Sequence, residues 1–201
     1  MSSSRKHILQ QVKANRAAEF ELPSLDQDWQ TFGDPLERFC EVLTSTGGNS
    51  LRVNDLASAN EWFEQRISGN ADSQTISLVE GVGRSTLELD QLETPQELSG
   101  LDWAILPAEF GVAENGALWV TDINAKHRAV YYLCEHLVLV LPASQVVHNM
   151  PQAYERLAGF ATDDTPPFGC FIAGPSKTAD IEQSLVIGAQ GPRSLDVLLI
   201  V

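Results

Sequence analysis

His136-Leu137-Val138-Leu139-Val140-Leu141-Pro142 is the stretch whose reading decides the architecture. Apolar residues follow one another here with no alternation, so a strand over 136–141 has no face to give to water. Strands of that kind belong to a largely parallel sheet covered on both sides. The run is far too short to span a bilayer. Residues 195–201 read the same way, as a buried final strand.

Outward from these two, strands and helices alternate. Strands are expected at 50–53, 75–79, 103–106, 117–121 and 171–173, and helices at 58–67, 124–133, 151–157 and 178–187. A further helix opens at Asp34-Pro35-Leu36-Glu37, where Asp34 can cap, Pro35 suits the first turn and Glu37 completes a capping box. Leu36, Phe39, Cys40 and Leu43 line one face of it, and Gly47-Gly48 ends it. Ser58 is the expected cap of the 58–67 helix, which turns Trp62 and Phe63 inward. Thr94-Pro95-Gln96-Glu97 is a second capping box, opening one helical turn. Asn115-Gly116 is a tight-turn pair, since both residues tolerate positive φ, and a hairpin there makes the sheet mixed. The fold class is therefore α/β, a mixed, largely parallel sheet flanked by helices.

Ahead of this unit, residues 4–18 place Ile8, Leu9 and Val12 on one helical face, and the polar, proline-containing 19–31 reads as a linker or strap. The organisation is an N-terminal helix and linker over 1–33 and an α/β domain over 34–201.

Bulk properties narrow the function. With 201 residues, 43% hydrophobic and 20% charged, the chain can build one proper core. A net charge of -14 excludes nucleic acid as a partner and repels an anionic membrane surface. Neither an apolar leader nor a membrane-length segment occurs, so no membrane insertion is expected and the reading is a cytoplasmic protein. Cys40, Cys134 and Cys170 are far apart with no C-x-x-C pair, which favours reduced thiols and leaves the chain without an iron–sulfur or zinc motif. No cofactor is identifiable from the residues.

Three stretches could carry chemistry. Gly174-Pro175-Ser176-Lys177-Thr178-Ala179-Asp180 is expected between a strand and a helix, where backbone N–H groups and side-chain donors could hold a small anion or organophosphate. It lacks the G-K-[ST] ending of a P-loop, and the same residues could simply cap a helix. Gly111-Val112-Ala113-Glu114-Asn115-Gly116 puts an acid on a tight turn, where Glu114 could act as nucleophile or general base, or stand solvated. Gly188-Ala189-Gln190-Gly191-Pro192 reads as a helix stop and turn whose ligand contacts would be through the backbone. His127, His136 and His148 form no H-E-x-x-H pair, and Asn124-Ala125-Lys126-His127-Arg128 is a short basic cluster in an acidic chain.

The run Ile172-Ala173-Gly174-Pro175-Ser176-Lys177-Thr178-Ala179-Asp180-Ile181-Glu182, continued by Leu185-Val186-Ile187-Gly188 and Gly191-Pro192, closely resembles the LUD-domain (lactate-utilisation protein C-like) family. Residues 111–116 look like that family's G-[IV]-A-E-T-G-T, and His136 is similar to its histidine at the start of an apolar strand. The resemblance covers roughly residues 34–201. It implies a fold related to ribose-5-phosphate isomerase, glucosamine-6-phosphate deaminase and the CoA-transferases. It also implies a place in organic acid metabolism, as a cluster-free component of L-lactate oxidation to pyruvate beside iron–sulfur partner proteins. The ligand pocket it implies is formed by the glycine-rich turns, with Glu114 as the catalytic candidate. Asn115, Gly116, Gly174, Ser176, Lys177, Thr178, Asp180, Gly188 and Gly191 are the ligand-binding candidates. Two alternatives stand beside it: a stand-alone CoA-transferase or isomerase-like enzyme using Glu114, and a ligand-free interaction subunit. Gln190 stands where the family usually has His, while Asn115 and Ala117 replace Thr. Neither Asn nor Gln serves as a general acid or base near neutral pH.

Overall fold

A computed structural model describes residues 2–16, 21, 24, 27–70, 72–160, 168–181 and 183–201. In chain order the elements are α1 (Ser2–Ala14), α2 (Pro35–Ser45), β1 (Asn49–Val53), α3 (Leu56–Ile67), β2 (Thr75–Ser77), β3 (Trp103–Pro107), β4 (Phe110–Val112), β5 (Ala117–Thr121), α4 (Val130–Leu133), β6 (His136–Pro142), β7 (Val146–Val147), α5 (Met150–Leu157), β8 (Gly169–Ile172), β9 (Lys177–Ile181), β10 (Ser184–Ile187) and β11 (Ser194–Ile200).

Five strands form an all-parallel sheet in the order β1-β11-β6-β3-β2. The apolar runs explain the order, because β6 and β11 take the interior positions where both faces are covered. Leu137, Leu139, Leu141, Leu195, Val197 and Leu199 pack into one core with Phe39 and Leu43 of α2 and Tyr131 of α4. Val138, Val140 and Leu198 face the other way, against Ala59 and Phe63 of α3. The α2 side is closed by a second sheet, order β7-β4-β5-β8, in which β5 runs antiparallel to β4 and β8. Leu118 and Val120 of β5 join the α2 core. The outer face of this second sheet carries its own apolar cluster, Phe110, Val112 and Val147 against Ala153 of α5.

Capping follows the sequence closely at some helix starts and departs at others. Asp34 caps α2 by accepting from Glu37 N at 3.0 Å, with Pro35 in the first turn. The Glu37 carboxylate is drawn away to Arg52 on β1. Asp55 is the cap of α3, not Ser58, which sits three residues inside and donates both N–H and hydroxyl to it at 2.7 Å. Glu97 accepts from Thr94 N at 2.7 Å ahead of a single 3-10 turn, Pro95–Leu98.

Other expectations are corrected. Residues 178–187 are not a helix but most of an antiparallel hairpin, β9 and β10, with Gln183 at φ 58° between them. Their apolar residues satisfy no helical face, since Leu185 and Ile187 are both exposed. The helix expected over 124–133 shrinks to α4. Ahead of it, Lys126 Nζ donates to Asp90 O at 2.8 Å and His127 Nε2 lies 3.0 Å from Leu92 O, holding the chain in turns. The strand expected over 75–79 stops at Ser77, where the hydroxyl donates to Val82 O and folds the chain over. Of the expected N-terminal helix and linker, residues 17–20, 22–23 and 25–26 lie outside the described residues, as does Glu182 of the family-like run. In α1, Ile8, Leu9 and Val12 are all exposed. The strap is pinned where it reaches α5: Phe32 N donates to His148 Nδ1 at 3.0 Å, and Asn149 Nδ2 to Gln30 O at 2.9 Å.

Three outcomes test this account. Phe63 is fully buried and meets Trp103 edge-on at 5.7 Å, so Phe63→Ala should cost about 3–5 kcal/mol in urea unfolding. Leu185→Ser on the exposed hairpin should stay within about 0.5 kcal/mol. The backbone N–H of Ser58 holds Asp55 below its ordinary pKa, and that of Thr94 does the same for Glu97. Their contribution is present above the ordinary carboxylate range, near pH ~4, and is lost as pH falls through the lowered folded values. Glu97→Gln should therefore flatten the acid limb of a Tm-against-pH curve; an unchanged limb would contradict this.

Candidate functional site

The three middle strands of the parallel sheet begin at one level, because Trp103 and Ser194 both register with His136. The segments leading into them run side by side. Glu135 N donates to Leu101 O at 2.9 Å, His136 N to Asp102 O at 2.8 Å, and Arg193 N to Glu135 O at 2.8 Å. Between them opens a cavity of about 520 Å³ lined by residues 100–102, 132–135 and 188–191 with Arg193. Tyr132, Gln190 and Gly191 also line an adjoining hollow of about 230 Å³, whose far wall includes Cys170, Gly174 and Ser176. Together the two make a groove with Tyr132 and Gln190 at its waist.

Two glycines shape this groove by backbone alone. Gly188 has φ +79°, and a Cβ there would lie 2.2 Å from Arg193 Cγ. At Gly191 an added Cβ would come within 3.0 Å of Ser176 Cβ. Ser176 N donates to Pro192 O at 2.9 Å, and Gly188 N to Ser176 O at 3.0 Å. Ser176, Gly188 and Gly191 are thus brought together, with the Arg193–Glu135 ion pair, 2.8 Å, on the neighbouring wall. Burial, with the Cys170 thiol beside it, pushes the Tyr132 phenol up, so its hydroxyl keeps its proton and can donate. Burial likewise pushes the Cys134 thiol up to about 12, which leaves it no nucleophile near neutral pH.

The remaining expected site residues lie elsewhere or, in the case of Gly174, also serve the packing of α2. Glu114 sits on the β4–β5 turn, and its Oε2 accepts from Met150 N at 2.8 Å, at the start of α5. Asn115 Oδ1 accepts from Ala117 N at 3.1 Å, tying the turn to itself. Gly116, at φ +67°, is pressed on α2, where a Cβ would be 2.7 Å from Leu43 N. Gly174, at φ +80°, is pressed on the last turn of α2, 2.4 Å from Thr46 O by the same measure. Lys177 Nζ donates to that same Thr46 carbonyl. The helix N-terminus expected to hold an anion at 174–180 is absent, since a strand follows the turn. Lys177 serves a helix C-terminus instead, where a cation belongs. Thr178 and Asp180 lie on the β9–β10 hairpin. Tyr132, Cys170 and the Glu135–Arg193 pair carried no sequence signal, because only the sheet register gathers them. Among the described residues no group of three or more His, Cys, Asp or Glu could hold a metal ion. No helix among them is long and apolar enough to cross a membrane.

Comparison with known proteins follows the same lines. Lactate utilization protein C of Shouchella clausii is 36% identical over 93 residues, covering 45% of this chain and 40% of that protein. The protein of that name from Exiguobacterium sp. is 30% identical over 113 residues, covering 55% of this chain and 49% of its own. The chain thus spans half or less of the length of these curated relatives. A DUF162 family protein from Deinococcus radiodurans, known from a crystal structure, superposes with a TM-score of 0.62 over 83% of this chain and 96% of that one. At 16% identity that likeness speaks for the fold alone. The LUD domain matches residues 61–200, which takes in the parallel sheet from α3 onward, both glycine-rich turns and the groove, and the chain belongs to the LUD domain family.

Proposed function

We propose that this chain is a ligand-binding component of L-lactate utilisation in the cytoplasm, taking part in the oxidation of lactate to pyruvate beside iron–sulfur partner proteins. The unit that does this is residues 34–201, with residues 1–33 as an appended helix and linker. The observation that carries the reading is the meeting of Ser176, Gly188 and Gly191 at one groove, in a chain whose relatives bear the name lactate utilization protein C. The groove suits a small carboxylate or phosphate ester. Arg193, exchanging its Glu135 partner for the ligand, supplies a cation, and the Tyr132 hydroxyl and Gln190 amide supply hydrogen-bond donors, while two glycines keep the floor free of side chains. Gln190 binds without proton transfer, which favours holding a ligand over turning it over.

A stand-alone enzyme using Glu114 has less in its favour, because that carboxylate is already engaged with the first N–H of α5. Lys177, Asn115, Gly116 and Gly174 act on this reading through the scaffold, by fixing α2 and the second sheet that backs the groove. Thr178 and Asp180 stand on the β9–β10 hairpin, outside the lining of the groove.

A thermal-shift series with lactate, pyruvate, inorganic phosphate and CoA tests the groove. A ligand selective for the native state should stabilise it saturably, by about 2.7 kcal/mol at a hundredfold excess over Kd. Arg193→Ala should abolish that shift. Equal shifts in wild type and Arg193→Ala, or none with any of the four, would sink the reading. Lys177→Ala should leave binding unchanged and lower stability by about 0.3–1 kcal/mol, the worth of a cation at a helix C-terminus. Loss of binding with unchanged stability would return Lys177 to a ligand role.

A further inference from the structure

The parallel sheet carries a buried acid that the groove does not use. Asp196 interrupts the apolar run of β11 between Leu195 and Val197 and is only 4% exposed. Its register partners are Asn49 and Val138, so its side chain joins Val138 on the α3 face, across the sheet from Leu137 and Leu195. Asp196 Oδ1 accepts from Asn49 Nδ2 at 3.0 Å. Oδ2 is buried and has no hydrogen-bond donor. The Arg66 guanidinium stops 3.9 Å short of it, beyond hydrogen-bond reach. A buried carboxylate oxygen without a donor costs stability, and such atoms are rarely left so.

Beside this oxygen lies a hollow of about 390 Å³ between β1, β11 and α3, walled by Asn49, Leu51, Trp62 and Arg66. We propose that it binds a small organic cation, a primary ammonium or guanidinium on a short aliphatic tail. The head donates N–H to Asp196 Oδ2, and the tail lies along Trp62 and Leu51. The acid selects positive charge and an N–H donor together and rejects anions. One carboxylate beside an apolar wall is no ligand set for a bare divalent ion. The Trp62 ring already accepts a cation, since the Arg66 guanidinium sits 5.8 Å from its centroid. Arg66, half-exposed, is the internal competitor that the ligand displaces from Asp196 and Trp62. The net charge of -14 raises the local concentration of cations around the site.

The test is calorimetric titration of the full chain with butylguanidinium, butylammonium and tetramethylammonium at constant ionic strength. The first two should bind saturably, and tetramethylammonium, with equal charge and no N–H, should not. Asp196→Asn should weaken butylguanidinium about tenfold or more, the worth of a charge-assisted hydrogen bond. Trp62→Ala should weaken it severalfold, and Arg66→Ala, lacking the competitor, should tighten it. Equal binding of all three cations, no binding of butylguanidinium, or unchanged affinity in Asp196→Asn overturns the proposal, as does unchanged or weaker binding in Arg66→Ala. Should Asp196→Asn fail to fold, Trp62→Ala decides with the wild-type cation comparison, and unchanged affinity there is equally fatal.

Discussion

Everything in this molecule is arranged around two strands that cannot touch water on either face. Asp196 apart, β6 and β11 are apolar above and below, so the sheet needs cover on both sides, and the chain supplies it unequally. Among the described residues one helix, α3, packs on one side. The other side takes α2 and a whole second sheet, and seating that sheet against α2 demands very close approach. Gly111 abuts Phe39 and Leu141, Gly116 abuts the backbone at Leu43, and Gly174 abuts Thr46. The glycines of both family-like turns are spent on this approach. A methyl group at Gly116 or Gly174 would meet main chain that cannot move aside.

The groove is a by-product of the same parallel arrangement. Three strands that start in register must be fed by three segments arriving together, and those segments leave space between them. Open parallel sheets usually place ligands beyond the ends of their strands, whereas this groove lies where the strands begin. Tyr132 and Gln190 stand on two of the arriving segments, so their separation is set by sheet register and is insensitive to substitutions on the surface loops.

The central strands were legible because 136–142 and 195–200 have no polar face, and the caps at Asp34 and Thr94 because a short side chain before a helix has few other uses. The hairpin at 178–187 was illegible for an equally physical reason. Its turn falls on Gln183, with no Gly or Asn to announce it, and with Leu185 and Ile187 exposed and Val186 only half-buried, neither a two-residue nor a helical period is enforced. The candidate site was legible one piece at a time. The sequence shows glycine-rich turns, but whether a glycine makes room for a ligand or for a neighbouring helix depends on what the fold puts opposite it. Lys177 shows this most clearly, since the same side chain suits an anion or a helix C-terminus, and only the position of Thr46 selects between them.

The order β1-β11-β6 also governs how the chain is made. The contact between Asn49 and Asp196 spans 147 residues, and β11 is threaded between two strands synthesised well before it. As the polypeptide leaves the ribosome, β1 and β6 must therefore wait with unpaired edges until residues 194–200 emerge to wedge between them. Loop-closure entropy across such a span makes the joining slow, and waiting edges invite association with other nascent chains. Holdase chaperones thus have a defined window in which to act. A nonsense change shortly before residue 194 removes the keystone of the sheet while sparing most of the polypeptide.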